Sequence, residues 1–182
     1  MRHRKFKVAV TVMAAGAVGF GAVAWADHAR GNIKEQLSSF EEFPALSTPG
    51  VGEFRASVNR AGDEITWRLS FSGLESDATQ AHIHFENATN NGPVVVFLCS
   101  NLGNGPAGTQ ACPAAGGTIS GTIVAADVGG GAAAQGLAAG EMAEFVRAVR
   151  AGATYVNVHS VSRTGGEIRA QLGDGHDHHA RD

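Results

Sequence analysis

The 182-residue chain is 43% hydrophobic and carries 14 Lys/Arg against 17 Asp/Glu, a net charge of −3. That length and apolar content suffice for one folded domain with a real core, plus flanking segments. The acidic balance, with no basic stripe to neutralise phosphates, argues against nucleic acid as a partner.

The chain opens "MRHRKFKVAVTVMAAGAVGFGAVAWADHA". Arg2, Arg4, Lys5 and Lys7 precede a run of small and aliphatic residues that ends in Ala24-Trp25-Ala26, the pattern of a signal peptide over residues 1–26. The competing reading is an uncleaved anchor, since residues 8–26 are 19 uncharged positions. Cleavage predicts a secreted, periplasmic or cell-surface protein with no stable membrane span. It leaves ten basic against 17 acidic residues, a net charge of −7. An N-terminal segment, 27–36, then leads to a domain over 37–172.

Within that domain Phe54, Ala56 and Val58 alternate with Glu53, Arg55 and Ser57. After a turn at Ala61-Gly62-Asp63, Ile65, Trp67, Leu69 and Phe71 alternate with Thr66, Arg68 and Ser70. Period two on both sides of a turn predicts a β-hairpin with one buried face. In "QAHIHFENATNNGPVVVFL" the next strand sets His82 and His84 on one face and Ala81, Ile83 and Phe85 on the other. "PVVVFL" is apolar throughout and predicts a strand covered on both faces. Cys99 and Cys112 are the only cysteines. In an exported chain they predict a disulfide clamping the loop between them. The alternative, a thiol pair for metal or redox work, fits neither C-x-x-C nor a zinc-ribbon spacing.

"GTISGTIVA" predicts a further strand, and the Gly/Ala-rich stretch 126–140 is read as a connection without regular structure. Met142, Phe145, Val146 and Val149 then fall at i, i+3, i+4 and i+7. Glu141 and Glu144 lie at the start, Arg147 and Arg150 near the end, and Gly152 follows, so the stretch predicts a short amphipathic helix against the sheet. In "TYVNVHS", Val156 and Val158 oppose Tyr155, Asn157 and His159, and in "GEIRAQL", Ile168, Ala170 and Leu172 oppose Glu167, Arg169 and Gln171. Glu167 and Arg169 read as an ion pair. The sum is a mainly β fold: an antiparallel β-sandwich or flattened Greek-key barrel of about seven or eight strands with one short helix. Residues 173–182, "GDGHDHHARD", read as a solvated tail able to hold transition metals loosely.

The motifs A-H-I-H, N-G-P-V-V-V and Y-V-N-V-H followed by G-G-E-I-R, in that order, resemble those of the CHRD domain, the module repeated in chordin and found singly in exported bacterial proteins. Residues 85–89 and the loop between the cysteines depart from the usual family pattern. The resemblance implies an extracytoplasmic β-rich domain acting as a non-enzymatic module that binds a protein or a surface polymer. No catalytic or cofactor-binding residues emerge: Ser160 and Ser162 lie near His159, yet there is no nucleophile elbow.

An alternative is metal binding. His82 and His84 share a face, His159 stands on the non-core face of a later strand, and neutral imidazoles suit copper or zinc. The H-x-H strand with a later V-x-H strand is similar in local pattern to the copper ligands of copper-zinc superoxide dismutase, which would extend this reading to a redox enzyme. Glu86 and Glu167 are the nearby carboxylates available as outer partners. Against this stands the plain reading, in which a polar sheet face carries the histidines and they hydrogen-bond across strands.

Overall fold

The computed structural model describes residues 32–173; the segment read as a signal peptide and the His-rich tail lie outside the described residues. Eight antiparallel strands form one nearly closed, barrel-like sheet. They are β1 (Asn32–Ser38), β2 (Val51–Val58), β3 (Ile65–Ser72), β4 (Ala78–Phe85), β5 (Val94–Ser100), β6 (Gly117–Ile123), β7 (Thr154–Ser160) and β8 (Ile168–Leu172). The order is β5-β4-β7-β8-β1-β2-β3-β6. No helix among the described residues is long and apolar enough to cross a membrane.

The inward residues are those that period two selects. Phe54, Val58, Ile65, Leu69, Phe71, Ala81, Ile83, Val156, Val158, Ile168 and Leu172 are all buried in a single core cluster. The β2–β3 hairpin forms as expected, with Val58 opposite Ile65 and Gly62 at φ 77° in the turn. One strand was not legible beforehand. β1 pairs along its whole length with β2, from Asn32 opposite Ser57 to Ser38 opposite Val51. Its inward positions are Ile33, Glu35 and Leu37, and the glutamate between the two buried aliphatics breaks the apolar alternation.

β5 is apolar on both faces, as its sequence predicts, yet it is an edge strand. Its cover comes from the Gly/Ala-rich stretch expected to lack structure. Residues 125–127 and 130–135 form two short 3-10 turns there, Gly129 N–H donates to the Val95 carbonyl at 2.8 Å, and Val128, Ala132 and Leu137 are buried in the core. Burial of those three apolar side chains against the strand offsets the chain entropy that the glycines would otherwise keep.

The helix α1 (Met142–Arg150) buries Met142, Phe145, Val146 and Val149, the predicted stripe. It ends where Gly152, at φ 71°, donates to the Val149 carbonyl. Cys99 and Cys112 are joined in a disulfide. The loop it clamps spans the seam between the two edge strands: the Gln110 side-chain amide donates to the Leu98 carbonyl of β5 and the Ser120 carbonyl of β6, each at 3.2 Å.

Candidate metal centre

β4 and β7 are sheet neighbours, with His82 opposite Asn157, His84 opposite Tyr155 and Gln80 opposite His159. His82 and His159 are therefore a diagonal pair on the outer face of the barrel, within side-chain reach of each other. His84 stands two residues along the same face. One ring nitrogen from each of the three lies within 4.8 Å of the others.

The face is not wet. His82, His84 and His159 are 2%, 7% and 6% exposed, because loops fold over them. The β4–β5 connection is stitched down by four contacts: Arg169 of β8 donates to the Asn87 and Asn90 carbonyls at 2.8 and 3.0 Å, Gln171 donates to the Glu86 carbonyl at 2.9 Å, and Gly92 N–H donates to the Tyr155 hydroxyl at 3.2 Å. The Arg169 guanidinium lies 3.3 Å over the Tyr155 ring, and that ring stacks on His84 with centroids 4.6 Å apart. Phe97 of β5 packs edge-on against His82 at 4.4 Å.

Hydrogen bonding settles two tautomers. His84 Nδ1–H donates to the Gly92 carbonyl at 2.8 Å and His159 Nδ1–H to the Thr164 carbonyl at 2.9 Å, so each ring carries its lone pair on Nε2. His82 Nδ1 lies 3.2 Å from His159 Nε2, which is both a hydrogen-bond distance and close to the about 3.3 Å edge between two imidazole nitrogens on a tetrahedral zinc. The Nε2 atoms of His82 and His84 are buried with no hydrogen-bond partner. Burial pushes His82 down to about 3, with repulsion from His159 and His84 adding to the effect. Burial likewise pushes His84 to about 4, against the opposing hydrogen bond to Gly92, and lowers His159. All three rings are neutral at physiological pH and can offer lone pairs.

The carboxylates expected beside the site are placed otherwise. Glu167 Oε1 accepts from Glu75 N–H at 2.8 Å, with Oε2 unpartnered, and Glu86 Oε1 accepts from Asn87 N–H at 3.0 Å. Neither makes a hydrogen bond to a histidine. Arg169 serves the loop carbonyls and Tyr155 rather than pairing with Glu167. The carboxyl that does approach is Glu42, from the β1–β2 connection. A Cβ at Gly166 would stand 2.5 Å from Glu42 Oε1 and 2.7 Å from Asn157 Nδ2, so this glycine makes room for both. Asn157 in turn places Oδ1 3.0 Å from His159 Nε2. Alternation with Val156 and Val158 puts Tyr155 and Asn157 on the His159 face from sequence alone, but nothing local points to Glu42.

Sequence comparison decides the family, because the CHRD domain matches residues 33–172. The chain belongs to the CHRD domain family. No curated protein and no solved structure matches it. The match runs from β1 through β8, so this CHRD domain comprises the whole barrel and all three histidines.

Proposed function

We propose that this chain is an exported, non-enzymatic CHRD-domain binding protein whose ligand at the histidine cluster is one copper or zinc ion held by His82, His84 and His159. The observation that carries this reading is the convergence of one buried ring nitrogen from each of the three histidines within 4.8 Å, with His82 Nδ1 3.2 Å from His159 Nε2 and His84 Nε2 left without a hydrogen-bond partner. Buried polar atoms are almost always satisfied, and a small cation that prefers nitrogen satisfies several lone pairs at once. Second contacts of the kind that orient metal-bound histidines are present, in the Nδ1–H bonds to the Gly92 and Thr164 carbonyls. Burial of all three rings supports holding the ion rather than turning over a substrate on it. Export is supported by the basic segment, apolar run and A-x-A site of residues 1–26.

The test uses the chain with His176, His178 and His179 replaced by Ala, so that the tail cannot compete. Calorimetric titration with Cu(II) and Zn(II) at about pH 7.5, where imidazoles are mostly neutral, should give one ion per chain, lost in His82→Ala/His159→Ala. Binding weaker than about 10 μM for both ions, or binding unaffected by that double substitution, would defeat the reading. Intact mass of the exported protein should begin at Asp27; a product retaining residues 1–26 would defeat the processing.

A further inference from the structure

We propose that Asn157 is the fourth ligand of this centre, through its side-chain oxygen. The inference rests on the three-histidine reading above and extends it to a residue that neither histidine spacing nor charge identifies.

The argument is an account of donors and acceptors. His159 gives its Nδ1–H to the Thr164 carbonyl, so its Nε2 is an acceptor, and Asn157 Oδ1, also an acceptor, faces it at 3.0 Å. His84 commits its Nδ1–H to the Gly92 carbonyl, and its Nε2 is buried and unpartnered. Of the polar atoms gathered here, Asn157 Oδ1, His159 Nε2 and His84 Nε2 are all acceptors, and His82 can supply at most one proton. Lone pairs facing lone pairs in a buried space repel unless something positive lies among them. A proton on His82 can bridge to one acceptor; a metal ion serves all of them.

The orientation of the amide is the critical point, since rotating it by half a turn would present N–H groups to the histidines instead. The two ends of the amide are placed differently. Oδ1 is the amide atom 3.0 Å from His159 Nε2, and Nδ2 lies on the Gly166 side, 2.7 Å from where a Cβ there would stand. Asn157 is only 1% exposed and lies on β7 between His82 of β4 and Arg169 of β8, so its position is set by two strand pairings. Three imidazoles and one amide oxygen make a closed four-ligand set of the kind a tetrahedral zinc ion accepts.

The experiment compares Asn157→Leu and Asn157→Asp in the full chain with the tail histidines replaced, using Zn(II) titration and the visible absorption of bound Co(II). Asn157→Leu should weaken Zn(II) at least about tenfold and shift the Co(II) bands, as water replaces the amide oxygen; Asn157→Asp should tighten Zn(II) by about tenfold or more. Melting of each metal-free variant separates ligation from folding. Should Asn157→Leu fail to fold, the Asp variant alone decides, and unchanged affinity there overturns the proposal. If the parent binds Zn(II) through its histidines while Asn157→Leu leaves affinity and spectrum unaltered, Asn157 is no ligand and the three-histidine reading survives. A parent that binds no metal overturns both.

Discussion

Acidification from pH 7 to pH 5 should destabilise the metal-free protein, and Glu42→Gln should enlarge the loss. Folded His82 and His84 titrate near 3 and 4, against 6.5 for a free histidine, because burial disfavours the imidazolium. With the folded values depressed, the unfolded chain takes up protons first as pH falls. The stabilising contribution is thus complete above about pH 6.5 and is lost progressively below it, toward the folded values. At pH 5 each of the two costs about 2 kcal/mol relative to pH 7, about 4 kcal/mol together. His159 is shifted the same way by burial and adds to the loss. Glu42 works in the opposite sense. Burial raises its carboxyl from 4.5 to about 7, against the attraction of Arg169, so between pH 7 and 4.5 the folded protein takes up this proton first and gains stability. Over the same two pH units that gain is about 2 kcal/mol, which offsets roughly half of the loss from His82 and His84. Urea unfolding with a chelator present, at fixed ionic strength, reads both effects as shifts in midpoint at constant slope. Groups other than Glu42 are common to the two proteins, so the readout is the extra loss of about 2 kcal/mol in Glu42→Gln between pH 7 and 5. The reasoning is refuted if the two proteins lose stability equally, or if the parent is no less stable at pH 5.

Reduction of the disulfide, or Cys99→Ser with Cys112→Ser, should remove about 3 kcal/mol and lower Tm by about 6–12 °C, and the unreduced, unfolded protein should show no titratable thiol. Phe145→Ala should cost about 3–5 kcal/mol in urea unfolding, because Phe145 is 0% exposed and lies in the central cluster; a cost below about 1 kcal/mol would show that the helix is loosely docked. Gly166→Ala should cost about 1–3 kcal/mol, since its φ is 125° and the new Cβ would strike Glu42 and Asn157; a neutral effect would mean that those two groups do not meet beside it.

Local pattern was enough for several features. Period two sorted Ala81 and Ile83 from His82 and His84, and Val156 and Val158 from Asn157 and His159, because successive side chains of a strand point to opposite faces whatever the strand's neighbours are. The spacing of Met142, Phe145, Val146 and Val149 marked the helix for the same kind of reason, a local geometry imposed on a local pattern. The cysteine pair followed from their count and the expectation of export.

β1 escaped because Glu35 occupies an inward position between Ile33 and Leu37, and its strand character rests on pairing with β2 rather than on apolar alternation. What converted a polar strand face into a buried cluster was also invisible in the sequence: β7 pairing with β4 brings His159 to His82 across 77 residues, and the β4–β5 loop, whose Gly92 carbonyl accepts from His84, is held down by Arg169 and Gln171 of β8. Sequence by itself determined which face each side chain takes, because that depends only on a residue's nearest neighbours along the chain. Tertiary structure alone decided which faces meet and which are covered, because strand order and loop placement minimise the free energy of the whole barrel, and no short segment contains that information.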